Sequence, residues 1–318
     1  MDNQNPEQSE VFEIAPEKEF MAGDVVSAPA LPDTPSWPPQ GVAPWWHTAV
    51  LIAFIVLMTV RGLLRSWAPH EPSSRLGIYG MSAIMDALLV FWVWLGVRLR
   101  GVSFRSLIGE LSFRPKALFR DIGLACASWF CMMLVIGTLS ITWLAVEKVH
   151  REGLHPKSAV TASASKNNTP NAEKNTPETK LEADKASLDG LNDGTMHAVA
   201  QLAPENRWEV LSWVSLCLLV GFTEELVFRG YLIAQFANWF SGWPRFRITG
   251  AIVLASLIFG SAHLYQGGRG IFVITVFGGM LSVLAYRLRS LRVGMMVHAG
   301  QDMIAGLALA FLKSQHLL

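Results

Sequence analysis

Polar and ionisable residues stand in three short groups within the otherwise apolar last third of the chain. The groups are Glu224, Glu225 and Arg229; Phe259 and His263; and His298 and Asp302. A charged side chain in hydrocarbon costs several kcal/mol unless it meets another polar group or water, so each group is a candidate for function. We therefore expect the helices that carry these groups to converge at one site.

Glu224 and Glu225 differ in whether they can form an ion pair with Arg229. Glu225 and Arg229 are four positions apart, so they can form an ion pair on one helix face. Glu224 is rotated by about 100° from Glu225 and need not share that arginine. A carboxylate with incomplete pairing in an apolar site is suited to work as a general base, whereas Glu225 and Arg229 are expected to have a supporting role.

Long apolar stretches surround these groups and recur along the chain. A transmembrane helix needs about 20 apolar residues to cross roughly 30 Å of hydrocarbon. The sequence predicts spans at 45–64, 76–97, 122–146, 208–240, 248–265, 270–288 and 293–312. The stretch 208–240 is too long for one straight span, so a broken helix could add one more. The predicted fold is therefore an all-α polytopic membrane protein with about seven to eight transmembrane helices.

Composition supports a membrane protein and argues against other classes. Hydrophobic residues make up 51% of the 318 residues and charged residues 16%, whereas a soluble domain carries roughly 25% charged residues. The mean hydropathy is +0.33. A net charge of +1 gives no reason to expect a nucleic-acid partner. The three cysteines lie in apolar stretches and lack the CxxC spacing of a thiolate metal site.

The chain divides into four predicted parts. Residues 1–44 carry eight acids, one base and many prolines, which predicts a disordered acidic tail. Residues 45–146 hold three N-terminal transmembrane helices. Residues 147–207 form a polar tract that is predicted to be a disordered loop. Residues 208–312 carry all three polar groups and form the expected catalytic core.

Basic residues predict the orientation in the membrane. The connections at 98–120, 245–247 and 287–292 are rich in arginine and lysine, and alternating spans bring all three to one side. The positive-inside rule makes that side cytoplasmic and puts the N-terminus inside. We expect the membrane to be the plasma (inner) membrane of a bacterium. Three arginines that flank the first connection, on the opposite side, run against this orientation.

The three groups follow the patterns E-E-x-x-x-R, F-x-x-x-H and H-x-x-x-[N/D], in this order, on three apolar helices. In this respect the chain resembles the CPBP intramembrane proteases, a family that includes the type II CAAX prenyl endopeptidases and the bacteriocin-immunity-like Abi proteins. The resemblance covers roughly residues 208–312. It implies an endopeptidase that hydrolyses a peptide bond in membrane-associated substrates.

The resemblance also implies a role for each residue. Glu224 and His263 would activate a water for attack on a peptide carbonyl. His298 and Asp302 would stabilise the developing oxyanion or position that water. The residues that would orient this site are Glu225, Arg229 and Phe259.

A metal-dependent mechanism is the main alternative for the chemistry. Members of the family have also been described as metalloproteases, and Glu224, His263 and His298 could hold Zn²⁺ with one open position. The zincin signature His-Glu-x-x-His is absent, because the His-Glu pair at 70–71 is followed by proline. We therefore expect glutamate-dependent hydrolysis without a cofactor, with zinc as the alternative.

Two other classes of function compete with the enzyme. The first is a catalytically silent membrane adaptor or immunity factor that uses the polar cluster for packing. The second is a proton-coupled transporter, which is disfavoured because no inverted repeat is visible. The enzyme's expected partners are the lipid bilayer and a membrane-bound or lipidated protein or peptide. Asp86, an isolated acid in the second span, is expected to make a polar contact with a neighbouring helix.

Overall fold

Helices account for most of the chain that the computed structural model describes, which comprises residues 37–39, 41–67, 74–109, 114–154 and 202–315. Within those ranges there is no β-strand, and Gly109 and Ser290 form an isolated bridge. The α-helices are α1 Trp45–Trp67, α2 Arg75–Leu99, α3 Phe104–Ile108, α4 Pro115–Leu154, α5 Arg207–Glu224, α6 Ile233–Trp239, α7 Arg247–Ser261, α8 Gly267–Leu288 and α9 Arg292–Ser314. The predicted all-α fold is confirmed.

Six helices in the described part are long and apolar enough to cross a membrane, and α7 is a shorter apolar helix. Large hydrophobic side chains, such as those of Phe119, Phe130 and Ile141, are exposed on the outside of the helices. Such surfaces suit hydrocarbon and not water, because a water-soluble protein rarely exposes large contiguous apolar patches. The chain is therefore an integral, polytopic membrane protein.

The helix bounds differ most from the predicted spans at α4, which begins at Pro115 and not at 122, and at the ends of α4 and α7. Helix α4 continues to Leu154, past the predicted start of the polar loop at 147. Helix α7 ends at Ser261, where the prediction continued to 265, because a 3₁₀ turn and Gly267, with φ of 75°, redirect the chain into α8. The rest of the predicted loop, at 155–201, and most of the predicted acidic tail, at 1–36, lie outside the described residues.

The overlong stretch 208–240 is one continuous helical span with a wider segment inside it. Helix α5 leads into a π-helical segment at Glu225–Leu232, and α6 continues the span. Every residue of the π-helical segment is buried. Such segments are rare and are found mostly at functional sites, and this one begins at the second glutamate of the first polar group.

A buried polar network attaches α1 to this central span. The hydroxyl of Tyr231 lies 2.7 Å from His47 Nδ1 and 2.9 Å from Thr48 Oγ1. The Gln235 amide donates to Thr48 Oγ1 at 2.7 Å. The His47 ring stacks on Trp92 of α2 at 4.4 Å between centroids. Helices α1 and α2 therefore meet near Trp92, and the network holds both against the π-helical segment.

The connection after α8 begins at the exposed Arg289 and becomes buried at Leu291. The Leu291 amide donates to the Ile108 carbonyl at 2.9 Å, so this connection lies against α3. Arg292 pairs with the buried carboxylate of Asp121 on α4 at 3.0 Å. Two of the three basic connections therefore lie at the same end of the described helices, as the topology prediction requires.

Candidate active site

Glycines allow the helices that carry the polar groups to approach closely. A Cβ atom on Gly221 of α5 would lie 2.9 Å from the Cβ and the backbone nitrogen of Ala299 on α9. A Cβ on Gly278 of α8 would lie 2.7 Å from the Phe259 ring. Real Cβ contacts are longer than this, so any larger residue would force the helices apart. Small residues at crossings are the usual way for membrane helices to pack tightly.

Glu225 lies at the centre of the cluster and is fully buried. Its Oε1 is 3.0 Å from Arg229 Nη1, which is the ion pair expected four positions apart. The same oxygen is 2.9 Å from His298 Nδ1 on α9. Gly294 makes room for this carboxylate, because a Cβ there would lie 3.0 Å from Glu225 Oε2. The carboxylate therefore connects the central span to α9.

Arg229 is held on its other side by α7 and α8. Its guanidinium stacks over the Phe259 ring, with Cζ 4.2 Å from the ring centroid, and its Nη2 donates to the Gly278 carbonyl at 3.3 Å. A cation over an aromatic face is attracted by the ring quadrupole. This contact gives Phe259, the first residue of the second motif, a physical role in fixing the buried arginine.

His298 joins the two glutamates. Its Nδ1 faces Glu225, while its Nε2 lies 3.4 Å from Glu224 Oε2 and 3.8 Å from Asp302 Oδ2. The ring is buried and stands edge-on to Phe259, with 5.8 Å between centroids. An imidazolium at this position would face carboxylates with both N–H groups. His298 therefore bridges the first and third motifs directly.

A count of helical rise makes that contact unexpected. At about 1.5 Å per residue, Glu224 lies about 24 Å from Phe240 and His263 about 24 Å from Arg247, whereas His298 lies only about 9 Å from Arg292. The structure resolves the mismatch. Arg292 pairs with Asp121 and has only 12% of its side chain exposed, so the first residue of α9 is packed against α4 within the protein.

His263 follows the end of α7 and is half-buried. Its Nδ1 lies 2.9 Å from the Phe259 carbonyl oxygen. A carbonyl oxygen only accepts, so Nδ1 carries the proton in this contact, and Nε2 of the neutral ring is the free acceptor. Among the described residues, no hydrogen bond or ion pair joins His263 to Glu224.

Glu224 and His263 nevertheless line one cavity. This cavity has a volume of about 720 Å³ and is walled on its other sides by α1 and α2. The Glu224 side chain is 24% exposed, whereas that of Glu225 is fully buried. The cavity therefore reaches one glutamate of the pair and not the other.

Asp86 of α2 also lines this cavity and is the residue of the site that sequence reasoning did not assign. It makes no hydrogen bond or ion pair with the described residues, in contrast to the helix contact expected for it. The feature of the sequence that could have identified Asp86 is its position as a lone acid in an apolar span. This feature does not indicate which way the side chain faces.

The donors for a metal do not come together in the described residues. No three side chains of His, Cys, Asp or Glu are grouped there so that they could hold a metal ion. Glu224 and His298 are close, but among the described residues no contact joins His263 to either of them. The set Glu224, His263 and His298 thus does not fit a zinc site in this geometry.

Comparison with known proteins supports the motif-based resemblance. Residues 206–304 match the family model described as type II CAAX prenyl endopeptidase Rce1-like. No curated protein and no solved structure matched the chain. The matched region includes all of the first, second and third motifs and indicates a membrane-embedded protease. The resemblance to the CPBP and CAAX protease family is therefore confirmed, and it is carried by residues 206–304.

Proposed function

We propose that the protein is an intramembrane endopeptidase that hydrolyses a peptide bond in a membrane-bound or lipidated protein or peptide. The observation that carries this proposal is the contrast within the glutamate pair. Glu225 is paired with Arg229 and His298, while Glu224 reaches the cavity and, among the described residues, is paired only with Nε2 of His298. A partly paired carboxylate beside a cavity is the arrangement that general-base catalysis requires.

In the proposed reaction, Glu224 takes a proton from water as the water oxygen bonds to the peptide carbonyl carbon. The resulting tetrahedral intermediate collapses, the carbon–nitrogen bond breaks, and the same proton passes to the leaving amine nitrogen. His263 faces the same cavity with Nε2 free, so it can accept a hydrogen bond from the water and orient it. This pairing assigns the activation of water to Glu224 and His263.

His298 and Asp302 are proposed to stabilise the oxyanion or to position the water, with the His298 ring as the donor and Asp302 orienting that ring. The Nε2 of His298 lies 3.4 Å from Glu224 Oε2 and 3.8 Å from Asp302 Oδ2, so an N–H there is next to the proposed general base. A fixed donor in an apolar site stabilises developing charge more strongly than water does. Arg229 is stacked over the Phe259 ring and pairs with Glu225, and it therefore keeps Glu225 and, through it, His298 in place.

The proposed mechanism depends on glutamate and not on zinc. A direct test is to measure hydrolysis by the purified protein after dialysis against a chelator, with and without added Zn²⁺. Undiminished activity is expected. Loss of activity that Zn²⁺ alone restores would replace the proposal with a metal-dependent mechanism.

We further propose that the protein lies in a bacterial plasma membrane with its N-terminus inside. The basis is the excess of basic residues in the connections at one end of the helices. An engineered Ser241→Cys in the exposed connection between α6 and α7 tests it. A membrane-impermeant maleimide should label this cysteine only after the cells are opened. Labelling in intact cells would reverse the orientation.

The first experiment compares peptide termini in membranes from cells that express the wild type or Glu224→Gln at equal levels. New termini found only with the wild type are expected, and they would name the substrate. If both proteins are folded and abundant and the termini do not differ, the result would favour the silent adaptor or immunity factor, in which the cluster serves packing alone.

A further inference from the structure

Asp86 is a buried acid that the proposed mechanism does not use. It lies on α2, outside the matched region at 206–304, and is 9% exposed. It lines the same cavity as Glu224 and His263. Within the described part of the chain it has neither a hydrogen bond nor an ion pair, so nothing in the protein's own helices accounts for its charge.

The residues that line the cavity near Asp86 are mostly apolar, with Ser82 one turn away on the same helix. On its own helix, Met85 and Leu89 line the cavity beside it, and Ile55 and Met58 line the facing wall on α1. An ionised carboxylate is costly in such surroundings unless a donor or a cation faces it. An acid placed here is therefore protonated, hydrated, or matched by a ligand group of opposite charge.

The charged groups of the cavity do not supply that counterpart. Glu224 is electrostatically coupled to Asp86 and carries the same sign. Arg61 also lines the cavity, but it is exposed near the end of α1 and does not pair with Asp86. His263 donates its Nδ1 proton to the Phe259 carbonyl. Apart from Arg61, the described residues that line the cavity thus present two acids and no permanent cation.

We propose that Asp86 is a specificity-determining residue that binds a positively charged side chain, lysine or arginine, next to the scissile bond of the substrate. This inference rests on the proposed peptidase function. Complementary charge fixes the register of a bound peptide and rejects like charge. The apolar walls would hold the flanking residues, and the cation held at Asp86 would set which bond lies at Glu224.

The test uses purified full-length protein in phosphatidylcholine vesicles, a zwitterionic lipid that does not concentrate cationic peptides at the surface. The probes are palmitoylated apolar peptides that carry lysine, norleucine or glutamate at one position, scanned across three residues on each side of the cleaved bond. At one position, kcat/KM of the wild type should rank lysine above norleucine by at least about tenfold and glutamate lowest. No preference at any position would overturn the inference without any variant.

Asp86→Asn then identifies the residue responsible. The ratio of kcat/KM for lysine over norleucine should fall to about one, and because it is a ratio within one protein sample, the fraction of folded protein cancels. Asp86→Lys should reverse the ranking in favour of glutamate. Ser82→Ala, one turn away on the same helix face, is the matched control and should keep the preference for lysine. An unchanged ratio in Asp86→Asn would overturn the inference.

A binding measurement separates this inference from the proposed function. In Glu224→Gln, the lysine peptide should bind at least about tenfold more tightly than the norleucine peptide, and adding Asp86→Asn should remove that difference. If the wild type hydrolyses no peptide but this binding pattern holds, the peptidase proposal fails and Asp86 recognition stands. If hydrolysis occurs without charge preference in rate or binding, Asp86 recognition fails alone.

Discussion

Glu224 and Glu225 are adjacent in the chain but belong to two different regions of the cluster. Glu225 is fully buried and lies between Arg229 and His298, whereas Glu224 faces the cavity with 24% of its side chain exposed. The change from α-helix to π-helix falls between them. Two identical side chains thus have different surroundings, because one joins two helices and the other faces the cavity.

The largest expected effect is on hydrolysis. Glu224→Gln should lower the rate of peptide cleavage by about 10²–10⁴-fold, because the amide cannot accept the proton from water. The free energy of unfolding should change little, since the cavity still hydrates the side chain. Cleavage in vesicles and thermal unfolding of the same preparation measure both. If Glu224→Gln keeps more than a tenth of wild-type activity, Glu224 is not the general base and does not differ from Glu225 in function.

The next effect is on stability. Arg229→Met should lower the free energy of unfolding by about 3–5 kcal/mol, because it leaves the Glu225 carboxylate buried without its cation. Adding Glu225→Gln removes that charge and should recover part of the loss. Unfolding of the single and double variants in detergent measures the recovery. A double variant no more stable than Arg229→Met would show that the pair does not act as an ion pair.

A smaller effect on stability is expected at Gly221, where α5 and α9 are in contact. Gly221→Ala should destabilise the protein by about 1–3 kcal/mol, because the added Cβ meets Ala299. Hydrolysis should fall with it, since His298 would move away from both glutamates. Gly137→Ala is the control, because no atom lies within 4 Å of a Cβ there. Equal stability and equal hydrolysis in the two variants would show that the close approach of α5 and α9 is not needed for either.

The smallest effect is expected outside the membrane. Lys313 and Arg75 hydrogen-bond Glu205 and hold the pKa of its carboxyl below the ordinary value of 4.5. The stabilisation is therefore complete above that value and is lost as the pH falls through the lowered pKa. Glu205→Gln should cost at most about 1 kcal/mol, because the pair is exposed. Unfolding compared at pH 7 and pH 3 should show the variant and the wild type converging at the lower pH.

Much of the fold was predictable because its signals are local. The apolar stretches exceed the thickness of hydrocarbon, so the number and positions of most spans follow from length and composition. The Glu225–Arg229 ion pair follows from helical spacing alone and has the expected geometry. The family resemblance was also local, because each motif lies within one helix.

The arrangement of the site was less predictable because it depends on distances between helices. His298 reaches both glutamates because the first residue of α9, Arg292, is packed against α4 through its pair with Asp121. His263 shares the cavity with Glu224 but bonds its own helix through the Phe259 carbonyl.

The sequence by itself determined an all-helical membrane protein, the helices that carry polar groups, and the residues in those groups. Periodicity within a helix and the cost of charge in lipid are enough for these conclusions. Only the tertiary structure decided that Glu224 faces a cavity while Glu225 does not, and that Asp86 joins it from α2. The physical reason is that exposure depends on which helices pass close by, and glycine contacts such as Gly221 against Ala299 control that approach.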